Sequence, residues 1–201
     1  MSKVICGVTM SLDGYVAGSD MTLKDPFGRI APEVLMKWMF AEPDKHTGEL
    51  TSLTDAGAFI MGSNMFGPKD SRTEASWKGW WGDNPPYHAP VFVLSHTPRS
   101  PIFMSGGTSF TFITDGIESA IKQAKAAAGD KDIAIAGGAN VINQYLRAKL
   151  IDELWLHITP VTIGEGQRLF LDTPDIKLKP LEVRTTDLVT HIKYTIDAAG
   201  H

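Results

Sequence analysis

The run Asp132-Ile133-Ala134-Ile135-Ala136 leads directly into Gly137-Gly138 and then into Ala139-Asn140-Val141-Ile142. A short apolar run, a glycine pair and an amphipathic continuation read as strand, tight turn and helix. A strand this uniformly apolar is buried on both faces, which points to a parallel sheet inside an α/β fold. Two glycines allow the backbone to come close to a ligand with no Cβ between them. The N–H groups at the start of the following helix have no partner of their own and suit a phosphate. Two readings stand: a phosphate cradle for a nucleotide, or a tight turn with no ligand. The order Gly-Gly-Ala-Asn is not the G-x-G-x-x-G dinucleotide fingerprint.

Other segments repeat the theme. Residues 3–10 read as a mostly apolar, central strand closed by the turn signal Asp13-Gly14. A loop rich in glycine and aspartate follows to about Ile30. Pro32 then opens a helix whose Val34, Leu35, Trp38 and Met39 recur at helical spacing. Ala58–Met61 is a short strand running into Gly62-Ser63-Asn64-Met65, a second strand-to-helix junction. Val91–Leu94 and Ser109–Thr114 are further strands, and Asp115 with Glu118 three residues on forms a capping-box pattern for the next helix, which Gly129 ends. Leu154–Ile158 is a strand stopped by Pro160. The runs 178–185 and 188–196 alternate and form an antiparallel hairpin. Residues 67–90 carry four prolines and Trp77, Trp80 and Trp81, and read as a long loop, either a lid or an insertion covering an edge or a partner. The pattern predicts one α/β domain over 1–201, with a mostly parallel central sheet, an antiparallel C-terminal hairpin and helices on both faces.

Composition excludes several classes. With 201 residues, a net charge of −4 and no basic block, the chain is not expected to bind nucleic acid. No stretch of eighteen apolar residues and no signal-peptide pattern is present, so a cytoplasmic protein without a membrane span is expected. The single cysteine, Cys6, lies in an apolar run and reads as a small core residue. The six histidines show no metal-ligand spacing, so no metal is expected.

Three strand ends finish in small or polar residues: Gly62-Ser63-Asn64, Ser95-His96-Thr97 and Gly137-Gly138. In open parallel sheets ligands bind outside the carboxyl ends of strands, so these three ends predict a dinucleotide cleft. Ser95, Thr97 and Arg99 are candidates for an adenosine 2′-phosphate, His96 for stacking on adenine, and Lys69 and Arg99 for local positive charge. Hydride transfer to an imine-like carbon also needs a proton source. Asp13, Glu33 and His157 are the candidates, against their readings as a turn residue, a first-turn helix residue and a hydrogen-bonded core histidine.

With these residues in view, the chain resembles the dihydrofolate reductase-like superfamily, and within it the reductase domain at the C-terminal end of RibD riboflavin-pathway enzymes. The resemblance rests on Ser11-Leu12-Asp13-Gly14, Met61-Gly62-Ser63, Val93-Leu94-Ser95, Ala136-Gly137-Gly138-Ala139, and Leu150–Leu154 continuing to Pro160-Val161 and Gly164, in family order. It implies a three-layer dihydrofolate reductase-like fold, here as a stand-alone domain, binding NADPH across the sheet and acting as a homodimer through the edge hairpin or the tryptophan loop. It further implies that Gly7, Val8 and Thr9 line the nicotinamide side. Ser63, Asn64 and Met65 would meet pyrophosphate or ribose; Leu94, Ser95 and His96 the adenosine; Gly137, Gly138, Ala139 and Asn140 the phosphates. The implied activity is that of 5-amino-6-(5-phosphoribosylamino)uracil reductase. The alternatives are a dihydrofolate or pteridine reductase and a nucleotide-binding or interaction protein without chemistry. Two departures bear on substrate: Ala136 replaces the family's acidic residue, and 66–72 matches its substrate-contacting stretch poorly.

Overall fold

The structure, a computed structural model, describes residues 2–196. Eleven strands and five α-helices follow one another as β1 (Val4–Ser11), β2 (Tyr15–Ala17), α1 (Pro32–Ala41), α2 (Thr47–Ser52), β3 (Ala58–Gly62), α3 (Ser63–Phe66), β4 (Pro90–Leu94), β5 (Ile102–Phe103), β6 (Ser109–Ile113), α4 (Ile117–Ala128), β7 (Ile133–Gly137), α5 (Ala139–Arg147), β8 (Glu153–Thr159), β9 (Gln167–Arg168), β10 (Leu178–Thr185) and β11 (Thr190–Ile196). Nine strands form one sheet in the order β10-β11-β8-β1-β7-β3-β4-β6-β5. The six from β8 to β6 are parallel, and β11, β10 and β5 add antiparallel edges.

The sequence explains this order locally. Buried central strands need apolar side chains on both faces, and all five residues of β3 are buried. Along β1 the side chains alternate: Val4 and Cys6 join one apolar cluster and Ile5 the other. On the first face α4 and α5 pack through Ala120, Ile121, Ala124, Ile142 and Leu146. Cys6 is fully buried there, and burial pushes its thiol up to about 12.

The second face has two different covers. Over β8, β11 and β1 lie α1, a 3₁₀ turn (Pro43–His46) and α2, and the buried anchors on that segment are Leu35, Trp38 and His46. Over β3, β4 and β6 lies the 67–90 loop, whose Trp77, Trp81 and Tyr87 join the cluster of Phe59, Phe66 and Phe110. Trp77 and Trp81 therefore cover this chain's own sheet, and Trp80 packs edge-on against Trp77.

Two local expectations are corrected. Asp115 does not cap α4: its N-cap is Gly116, at φ +97°, a conformation open to glycine, and no side chain closes the helix start. The loop to Ile30 contains β2, which pairs antiparallel with β9 (Tyr15 with Arg168) and brings the 164–168 loop over the strand ends. Among the described residues no helix is long and apolar enough to cross a membrane.

Candidate functional site

The three strand ends marked by glycine, serine and asparagine fall on adjacent strands, because β7, β3 and β4 are neighbours in the sheet. Gly62 pairs with Leu94 in register, so the second and third ends lie level. A methyl on Gly62 would sit 2.8 Å from Val141 Cγ2 and 3.9 Å from both Gly137 O and Gly138 N. Glycine is thus required for α5 to seat against β3. Gly137 has φ +129°, where other residues are strained, and a cis peptide bond links it to Gly138. A methyl on Gly137 would meet Met65 Sδ at 3.2 Å, whereas one on Gly138 would meet nothing within 4 Å. The bare backbone at Gly138, at the N-cap of the nine-residue helix α5, faces open space. A dinucleotide diphosphate fits such a surface, since it takes hydrogen bonds from main-chain N–H groups that a Cβ would shield. Ala139 is buried behind it, while Asn140 is exposed and accepts from Gln144 at 2.6 Å.

Beside this surface, on the α3 side, a cavity of about 340 Å³ is lined by Met21, Asn64, Lys69, Arg72 and Gln167, together with Gly67-Pro68. Two cations and two amides line it, and no carboxylate does, a combination that suits an anionic ligand. Arg72 donates to Asn64 Oδ1. Helix α3 is a single turn, Ser63–Phe66, so its N–H groups lack intrahelical partners and it carries little helix dipole.

Arg99 is engaged elsewhere than expected. Its guanidinium donates to the carbonyls of Arg72 (3.0 Å), Ala75 (3.2 Å) and Trp77 (2.5 Å), and it lies over the rings of Phe66 and Phe112. It pins the start of the 67–90 loop, including the segment that carries Arg72. Ser95 is turned inward as well: its hydroxyl accepts from Thr97 N at 3.1 Å and donates to Thr97 O at 3.0 Å. His96 is exposed at the tip of that turn, and Leu94 is half-buried below it. Val8 is half-buried and Thr9 is buried near the end of β1.

The three acid–base candidates are not brought together. Asp13 accepts from Ser11 Oγ (2.5 Å), Gly164 N (2.7 Å) and Ile163 N (3.2 Å). The Ser11 hydroxyl, followed by the backbone N–H groups, holds its carboxyl below the usual carboxylate range. Asp13 is thereby an acceptor that fastens the 161–164 loop. Glu33 is exposed in the first turn of α1. His157 is 2% exposed, beneath Trp38, and not among the residues lining the cavity.

His157 belongs to a grouping that residue spacing did not reveal. Its Nδ1 lies 2.8 Å from His191 Nδ1, and His191 Nε2 lies 2.9 Å from His46 Nδ1. Arg184 Nη2 reaches His46 Nδ1 at 3.0 Å and Glu49 Oε1 at 2.6 Å. Burial drives all three imidazoles down, His157 to about 3 and His191 to about 4. His46, Glu49 and His191 bring ligand-type atoms within 4.8 Å of one another, but Arg184 is the cation bonded to two of them. The rings of His46, His157 and His191 each lie about 5 Å from Trp38. Residues 46, 157 and 191 are too far apart in sequence for any motif to join them; the register His157↔His191 appears only once β8 and β11 are paired. Met21 and Gln167 carry no such signal either: Met21 lies in the loop after β2, and Gln167 in the two-residue strand β9, which has no periodicity.

The model of the RibD C-terminal domain family matches residues 2–192. The uncharacterized protein YyaP of Bacillus subtilis is 26% identical over 194 residues, covering 91% of this chain and 88% of that one. A Shewanella sp. PV-4 protein named for riboflavin biosynthesis superposes with a TM-score of 0.66 at 23% identity, over 98% of this chain and 99% of the other. The riboflavin biosynthesis reductase of Saccharomyces cerevisiae does so with a TM-score of 0.54 at 14% identity, over 97% and 90%. The architecture is therefore the RibD-type, dihydrofolate reductase-like one.

Proposed function

Because the chain belongs to the RibD C-terminal domain family, we propose that it is an NADPH-dependent reductase acting on an anionic, heterocyclic substrate in the manner of 5-amino-6-(5-phosphoribosylamino)uracil reductase. One observation carries the reading: the ends of β7, β3 and β4 converge on a bare glycine backbone beside a cavity with Lys69 and Arg72 in its wall. NADPH, when bound, supplies the hydride. The chain's own residues bind and orient. Gly137, Gly138, Ala139 and Asn140 offer main-chain groups to the diphosphate, with Ser63, Asn64 and Met65 opposite. Leu94, Ser95 and His96 face the adenosine, and Val8 and Thr9 the nicotinamide side. Lys69 and Arg72 balance the negative charge of whatever fills the cavity. The exposed edge strand β10, with Leu181 53% and Val183 62% exposed, supports pairing of two copies. A 44 kDa species by light scattering is expected, about twice the 21.9 kDa chain.

The decisive experiment is a titration with NADPH and NADH, followed by turnover assays on the riboflavin intermediate and on dihydrofolate. Gly138→Ala places a methyl where nothing of the protein stands, so it tests the ligand surface rather than the fold. It is expected to weaken NADPH at least tenfold with little change in Tm; an unchanged affinity would remove the phosphate role. A second reading, a nucleotide-binding protein without chemistry, is favoured by one fact: among the described residues no carboxyl or imidazole group lines the cavity. NADPH binding with no turnover on either substrate would select it.

A further inference from the structure

The buried histidines over β8 and β11 form a network whose proton positions are fixed by Arg184. A guanidinium can only donate. His46 Nδ1, 3.0 Å from Arg184 Nη2, is therefore a lone pair, and His46 carries its proton on Nε2. His191 Nε2, 2.9 Å from that same lone pair, must be a donor. In its neutral form His191 then has a lone pair on Nδ1, which takes the Nδ1 proton of His157 at 2.8 Å. His157 Nε2 is left as a bare lone pair, and His46 Nε2 as a bare donor. Both are buried without a hydrogen-bond partner among the described residues.

An added proton has no good place in this arrangement. On His46 Nδ1 or His191 Nδ1 it sets donor against donor. On His157 Nε2 it makes a buried cation with no acceptor. The charges around the cluster do not absorb it. Glu42 and Lys45 flank it from the α1 end, Glu49 from α2, Glu182 and Arg184 from β10, and Lys193 from β11. Glu49 lies 3.9 Å from His191 Nε2 and favours its charged form, but it is bonded to Arg184 at 2.6 Å, and the Arg184 charge opposes it.

The segment that covers the histidines is lightly held. Helix α2 buries no residue, and α1 buries only Leu35 and Trp38. Helix α5, on the opposite face, buries six. We propose that the His46–His191–His157 chain is a proton-operated latch: neutral, it fastens residues 32–53 onto β8, β10 and β11, and protonation releases that segment while the rest of the sheet stays folded. Release uncovers Gly7, which packs under Leu53, and so opens the α1 side of β1. Once freed, an imidazole with the ordinary value near 6.5 favours its proton about thirtyfold at pH 5.0.

Amide hydrogen exchange of the full chain at pH 7.5 and 5.0, corrected for intrinsic rates, tests the latch. Protection of 32–53 is expected to fall at least tenfold, and that of 133–147 less than threefold. His157→Gln, which cannot take the proton, is expected to reduce the response of 32–53 and leave only the part carried by His46 and His191. In the wild type, the three histidine ring resonances are expected to titrate in the same pH interval as the loss of protection, a measurement that needs no variant to fold. No change at pH 5.0, an equal change in both segments, an undiminished response in His157→Gln, or ring titration outside that interval would overturn the proposal.

Discussion

The two faces of the sheet are closed by different physics. Helices α4 and α5 close one with alanine, isoleucine and leucine, in contacts that depend only on shape and apolar area. The other is closed by Trp38 over three hydrogen-bonded histidines at one end, and by tryptophans pinned through Arg99 at the other. The first face tolerates changes in solution conditions. The second depends on a few directed contacts, each with a defined protonation state and geometry, and it is the face beside the cavity.

The largest expected effect probes the apolar face. Ile142 is fully buried between α5 and the sheet, and Ile142→Ala should destabilise the protein by about 3 kcal/mol in urea melts. The loss should be the same at pH 7.5 and 5.5, since nothing ionisable is involved; a pH-dependent loss would break the contrast. The next effect probes the polar face. Unfolded, the imidazoles take protons near pH 6.5; folded, only near 3 to 4 for His157 and His191. The unfolded chain thus binds more protons below 6.5. The cluster's contribution is full above that value and falls as pH drops towards 4, by on the order of 3 kcal/mol. Wild-type urea melts across pH 7.5 to 4.0 measure it, and a flat profile from pH 7.5 down to about 5.5, above the range of ordinary carboxylates, would contradict it.

Arg99→Ala should have a smaller effect, about 2 kcal/mol, from the loss of charge-assisted bonds to three carbonyls. Its mark should be local, with faster hydrogen exchange over 70–82 and an unchanged α5. The smallest is Tyr145→Phe. It removes the 2.9 Å bond from the Tyr145 hydroxyl to Ile117 O, which ties α5 to α4, and should cost about 1 kcal/mol by the same melts.

The apolar face was the legible one. The runs at β1, β3, β4, β7 and β8 and the helical spacing in α1, α4 and α5 follow from period alone, as does the terminal hairpin. The glycine pair and its two companion strand ends were also readable, because a bare backbone at a strand end is a local property. What stayed hidden is what tertiary structure assembles. The histidines meet only through strand pairing, and β2 and β9 are two or three residues long, too short to show a period. Asp115 carried a capping pattern, but Gly116 took the helix start with a backbone conformation open to glycine. Arg99 looked like a free cation near an adenosine site, yet three carbonyls from a segment more than twenty residues earlier claim it.

Cys6 lies on β1, the strand between β7 and β8, with its sulfur sealed on the apolar face. Only the thiolate reacts with disulfides or alkylating reagents, and here it forms only when the sheet itself comes apart. The chain's one thiol is therefore a clock for global opening. It is blind to any movement of residues 32–53, and its labelling rate at neutral pH counts the moments when the whole fold is lost.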